Sequence, residues 1–180
     1  MRPGGTVFLA TRITGRGESL VRSEDNIWTT DPATLRDVVL DTEAMQSRLE
    51  DCPALERVWI LSLLGRTEEA IEEGQAYLAG ATSRFRPLLV LAQSYQRQYQ
   101  WHEAARLQEE ALRLAHTSAR EALVRHQIGR RLFDEARYKE AAAELEWAHD
   151  LYRTIGRTRL AQVSLQSLER AREVAGTLRS

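Results

Sequence analysis

Cysteine is almost missing from this chain. The lone Cys52 excludes an intramolecular disulfide and fits a reducing compartment. Only four prolines and ten glycines interrupt 180 residues, and most fall near the N-terminus or at turns. No run of β-branched residues is long enough to build a sheet, which excludes the all-β classes. No apolar stretch approaches the roughly 20 residues of a membrane span, and within residues 1–30 the apolar run Val7 to Ala10 is too short for a signal peptide. The expected location is therefore cytoplasmic, with no membrane partner. His102, His116, His126 and His149 are scattered, and neither His-Glu-x-x-His, paired cysteines nor an Asp-rich calcium loop occurs. The expectation is no metal, no cofactor and no enzyme. Gly15-Arg16-Gly17 lacks the strand, loop and helix context of a phosphate site. Cys52, just ahead of a helix start, reads as a structural thiol whose pKa that position would lower somewhat.

Lysine is nearly absent as well: Lys139 stands alone among 25 cations. Net charge is −1 but unevenly spread. Residues 1–80 carry 8 Arg against 14 acids, and residues 81–180 carry 16 Arg and one Lys against 12 acids. Arginine suits bidentate carboxylate binding, although charge runs more often coat a solvated face. No recognised nucleic-acid module accompanies the basic part, so no nucleic acid is expected.

What is abundant is helix former: Ala, Leu, Glu, Arg and Gln. Residues 1–30 show no sustained period and read as mostly irregular, with Thr6 to Thr11 a short strand or simply extended and Ile27-Trp28 covering the first hairpin as a cap. The alternative is that this tail lies in a groove. Asp31-Pro32 has the form of an N-cap and first helical residue, and predicts a helix to about Asp51 through Leu35, Val38, Val39, Met45 and Leu49. Further helices are predicted from Pro53 to Gly65, from Thr67, and over about 84–98, 101–115, 118–135, 138–154 and 158–175. Three of them open alike, at Glu69-Ala70, Glu103-Ala104 and Glu140-Ala141. The alanines lie 104 − 70 = 34 and 141 − 104 = 37 residues apart. A repeat near that length, of two helices and a turn, predicts stacked hairpins. Ala104 with Ala111, and Ala141 with Ala148, put small residues on one helix face and allow close helix approach, with Gly129 doing the same on the facing helix. Trp101 and Trp147 are expected to pack between hairpins.

These residues resemble the tetratricopeptide repeat. Leu91-Ala92 with Tyr95, then Ala104 and Ala111, match its pattern, and so do Ile128-Gly129 with Leu132, then Ala141 and Ala148. The first unit departs from it, with Gly74 where a large residue is usual and Tyr77 where a small one is. The resemblance implies an all-α, right-handed α-solenoid over residues 31–180, with units of about 53–82, 84–116 and 118–154 and a capping helix over 158–176. It also implies that the first helix of each unit lines a concave groove. Projecting those helices on a 3.6-residue period places Leu55, Glu56, Trp59 and Leu63 there, then Arg86, Leu89, Val90, Gln93 and Arg97, then His126, Gln127, Arg130 and Asp134, and from the last helix Arg159, Gln162, Gln166 and Arg170. Trp59 is expected at least partly exposed. The groove then grades from apolar to Arg- and Gln-rich, which suits a protein or peptide segment with an apolar end and an acidic end, Arg97 and Arg130 taking carboxylates. The Lys and Asn constellation of the chaperone-binding carboxylate clamp is missing. Against groove binding stands the reading that these arginines pair with neighbouring glutamates. The expectation is a non-enzymatic interaction module. Its rivals are a self-associating unit, whose acidic and basic parts meet in a homo-oligomer, and the sensor part of a bacterial signalling or transcription regulator.

Overall fold

The computed structural model describes residues 27–177. The chain is mostly helical. A strand hairpin, β1 (Trp28–Thr30) and β2 (Asp37–Val39), precedes eight helices among the described residues: α1 (Thr42–Glu50), α2 (Ala54–Leu63), α3 (Thr67–Gly80), α4 (Phe85–Arg97), α5 (Trp101–Arg113), α6 (Ser118–Asp134), α7 (Tyr138–Thr154) and α8 (Thr158–Thr177). From α2 onward they lie close to where their periodicity puts them. The expectations for Thr6 to Thr11 and for Gly15-Arg16-Gly17 lie outside the described residues.

The predicted helix from Asp31 is corrected over its first ten residues. The Asp31 carboxylate accepts the Ala33 N–H at 2.9 Å and the Thr34 hydroxyl at 2.7 Å, and the Asp31 carbonyl accepts the Leu35 N–H at 2.8 Å. Asp followed by Pro serves a reverse turn as well as a helix start, and here the turn wins. Leu35 has φ +58°, outside the right-handed helix, and the chain doubles back so that Trp28 faces Val39 and Thr30 faces Asp37 in antiparallel register. The helix starts ten residues later, where the Asp41 carboxylate accepts the Ala44 N–H.

One turn recurs four times. After α2, α4, α6 and α7 a residue takes a left-handed φ: Gly65, Tyr99, Ala136 and Gly156. The next N–H then reaches back five residues, Arg66 to the Leu61 carbonyl, Gln100 to Tyr95, Arg137 to Leu132 and Arg157 to Tyr152, all within 3.0 Å. This six-to-one bond is the Schellman stop. The carbonyl of the residue after each turn residue, Arg66, Gln100, Arg137 and Arg157, then accepts the N–H of a buried alanine, Ala70, Ala104, Ala141 and Ala161. The alanine rhyme of the sequence is thus the first turn of each following helix, and Ala161 is a fourth member, missed because no glutamate precedes it.

Consecutive helices from α2 to α8 pack on one another. In addition α2 packs on α4, α4 on α6 and α6 on α8, so the even-numbered helices form one row and α3, α5 and α7 a second. Two glycines set the approach. A Cβ at Gly129 would lie 2.6 Å from Leu145 Cγ, and one at Gly74 would lie 2.9 Å from Leu91 Cδ1 and 3.2 Å from Val58 Cγ1. Gly74, irregular against the repeat pattern, is therefore the closest point of α3 on α2 and α4, and Tyr77 is displaced to an exposed position. Trp147 does not pack between hairpins. It is half exposed, with the Arg125 guanidinium 3.3 Å above its ring. Trp101 meets Tyr99 edge to face at 5.4 Å.

Candidate functional site

The strand hairpin lies across the row of even-numbered helices. Its inner end is apolar. Ile27 is buried with Met45, Leu49, Val58 and Trp59, and Trp28 meets Trp59 edge to face at 5.2 Å. Its turn end inserts Leu35 among Leu132, Phe133 and Leu168, from α6 and α8. Ile27 and Trp28 therefore cover the first helices, as expected; the segment that lies over α6 and α8 is residues 33–37, which were expected in a helix, and residues 1–26 lie outside the described residues.

Between these apolar ends the contact is made by arginine. Asp31 N–H to the Arg36 carbonyl and Leu40 N–H to the Ile27 carbonyl mark the positions where β2 bonds to β1. In an antiparallel pair the intervening carbonyls point off the outer edge. One arginine from each of three helices reaches the hairpin backbone: Arg97 of α4 donates to the edge carbonyl of Asp37, and Arg130 of α6 and Arg170 of α8 reach the turn, to Leu35 at 2.7 Å and Ala33 at 3.1 Å. The acceptors are alternate residues, 37, 35 and 33. Side-chain pairs add direction. Arg130 also binds the Asp37 carboxylate at 2.9 Å, with the Thr30 hydroxyl donating to the same oxygen at 2.8 Å. Arg36 binds Asp134 at 2.7 Å, and Gln96 donates to the other Asp134 oxygen at 2.8 Å.

Three guanidiniums, Arg36, Arg97 and Arg130, thus share two carboxylates. Burial pulls the Arg97 pKa below its ordinary value, Asp37 opposes that, and Arg130 and Arg36 add to it. Deeper in, His126 Nδ1 lies 3.0 Å from Ser164 Oγ, tying α6 to α8. Burial, reinforced by Arg130, pushes the His126 pKa down to about 3, so the ring is neutral at ordinary pH. Under the hairpin remains a cavity of about 30 Å³, lined by Arg36, Asp37, Trp59, Ser62, Gln93 and Arg130 among others. Ser62 Oγ is buried there without a hydrogen-bond partner. The space suits a water molecule.

Eight of the residues expected on the groove come together around this cavity: Trp59, Leu63, Val90, Gln93, Arg97, Gln127, Arg130 and Asp134. Gln93 donates to Gln127 at 2.9 Å. Leu55 packs against the first apolar cluster instead, and Arg86, Arg159 and Gln166 are exposed outside the lining. Two expectations are corrected. Trp59 is 7% exposed because Trp28 covers it, and Arg97 and Arg130 are engaged by the chain's own hairpin. Sequence reasoning missed Leu35, Arg36 and Asp37. The signal that existed was the alternation of Ile27, Trp28, Thr29 and Thr30 ahead of a turn.

Elsewhere, Cys52 donates weakly to the Leu49 carbonyl, and burial raises its pKa rather than lowering it. Among the described residues no group of three or more His, Cys, Asp or Glu is gathered that could hold a metal ion, and no helix is long and apolar enough to cross a membrane. Compared with known proteins, the chain matches no family model, no curated protein and no solved structure.

Proposed function

We propose that this chain is a non-enzymatic protein–protein interaction module: a right-handed, tetratricopeptide-like α-solenoid whose even-numbered helices line a groove for a protein segment. The observation that carries the reading is a chain segment lying across those helices, its backbone carbonyls bound by Arg97, Arg130 and Arg170. Contacts to backbone carbonyls tolerate many side chains, and pockets beside them supply selectivity, as in other modes of extended-segment recognition. The like turns after α2, α4 and α6, each joining the two helices of one unit, support the solenoid reading, since equal turns superpose one hairpin on the next. One feature favours groove binding over the reading in which these arginines serve only neighbouring glutamates. Arg97 and Arg130 reach across to residues 60 and 95 positions away.

The test is panning of a displayed library of unconstrained peptides against the immobilised full chain, with the Arg97→Glu, Arg130→Glu double variant alongside. Enriched peptides should be lost on the double variant while its helical circular dichroism is retained. Equal retention by both chains, or no enrichment on either, overturns the groove.

A further inference from the structure

The hairpin's contacts specify what else the groove can hold. Its grip has three parts: a leucine side chain in the Leu132, Phe133 and Leu168 pocket, a carboxylate two residues later on Arg130, and alternate backbone carbonyls on the three arginines. We propose that the groove takes from a partner protein a turn-forming segment carrying a leucine-sized residue two positions before a carboxylate, and that the chain's own 27–40 hairpin is the competitor this segment displaces. The inference rests on the groove reading above.

Four observations make the hairpin a replaceable occupant. Its strands are three residues long, and a two-stranded hairpin of that size has little stability of its own. Leu35, the residue that anchors it, sits at φ +58°, an uncommon conformation for a residue other than glycine. Apart from the Leu35 pocket on α6 and α8, the helices α4, α6 and α8 hold the hairpin through arginine tips, above a water-sized cavity and an unpartnered Ser62 hydroxyl. Close-packed cores leave few such spaces. Finally, removal of the hairpin takes Arg36 and Asp37 away and leaves Arg97 and Arg130 facing Asp134 alone. The opened groove is then short of negative charge, and a segment bringing a carboxylate restores the balance.

The experiment uses the full chain and a fluorescein-labelled synthetic peptide of residues 27–40, followed by anisotropy. Three chains are compared: wild type, Leu35→Asp, which removes the anchor, and Arg36→Ala, which removes the Asp134 bond and leaves the anchor in place. A control peptide carries Leu35→Ser and Asp37→Lys. Affinity falls by the fraction of chains with the groove open, so Leu35→Asp should bind the peptide about tenfold more tightly than wild type and Arg36→Ala about threefold. The control peptide should not bind. Equal affinity for wild type and both variants overturns the competitor and leaves the groove standing. Equal binding of the control peptide overturns the leucine-and-carboxylate rule. No binding of either peptide to any chain overturns the groove itself. If Leu35→Asp loses helical circular dichroism, Arg36→Ala decides the comparison.

Discussion

The α4–α5 hairpin and the strand hairpin are both held to the same row of helices, by opposite means. In the first, Leu88, Leu91, Ala92, Ala104, Leu107 and Ala111 are all at most 2% exposed and meet without polar intermediaries. In the second, Leu35 and Ile27 are buried at two ends and the span between them is bridged by arginines above a cavity. Close apolar packing loses contacts steeply when any part moves. Long, solvent-tolerant side chains bonded to carbonyls exchange one set of hydrogen bonds for another at a small net change, about 1 kcal/mol per bond. The first region is therefore part of the cooperative body of the protein, and the second is a contact laid upon it.

The sharpest way to break that comparison is to truncate one leucine in each. Leu88→Ala empties a fully buried site in the middle of the stack and should cost about 3–4 kcal/mol. In urea denaturation followed by helical circular dichroism, the whole transition should move. Leu35→Ala should move that transition by less than about 1 kcal/mol. Its effect should be local opening, seen as faster hydrogen exchange at the Leu40 and Asp41 amides, which bond to the Ile27 carbonyl. Equal global losses from the two substitutions would place the hairpin in the cooperative body and end the distinction.

A second, smaller effect tests how tightly the helices themselves are seated. Gly129→Ala puts a methyl 2.6 Å from Leu145 Cγ, where the neighbour is a fully buried side chain. Overpacking of this kind costs about 1–3 kcal/mol, offset by about 1 kcal/mol of helix propensity. The net expectation is a loss of about 1–2 kcal/mol in the same denaturation assay. A gain in stability would mean that α6 and α7 are free to separate.

The same contrast explains what could be read from the sequence. The helices from α2 to α8 were legible because their causes are local: a 3.6-residue apolar period, a stop at Gly65, an alanine where two helices touch. The alternate stops at Tyr99 and Ala136 were not, since neither residue type announces a left-handed φ. The helix face that meets the strand hairpin was legible in part: Gln93, Arg97, Gln127 and Arg130 gather there, and Trp59 gathers with them but is covered by Trp28. What occupies the groove was beyond local reasoning. Asp31-Pro32 signals a turn and a helix equally well, and the partners that decide between them lie 60 to 137 residues downstream.

The smallest effect concerns the polar wall beneath the hairpin. His126 is tied to Ser164, and the charge of Arg130 acts on it with that of Asp37 opposing. Its folded pKa of about 3 lies below its ordinary value of 6.5. Between those values the unfolded chain binds a proton that the folded chain refuses. Stability from this site is therefore full above pH 6.5 and is lost as pH falls toward 3. By pH 5 the loss should be about 1–2 kcal/mol relative to pH 7. His126→Gln keeps a hydrogen-bonding group for Ser164 and removes the titration. Urea midpoints at pH 7 and pH 5 should converge for that variant while wild type declines more. A wild-type decline no larger than the variant's would mean that the ring charges without penalty, and that water already reaches the wall between α6 and α8. The hairpin would then be a looser cover than the Arg97, Arg130 and Arg170 bonds describe.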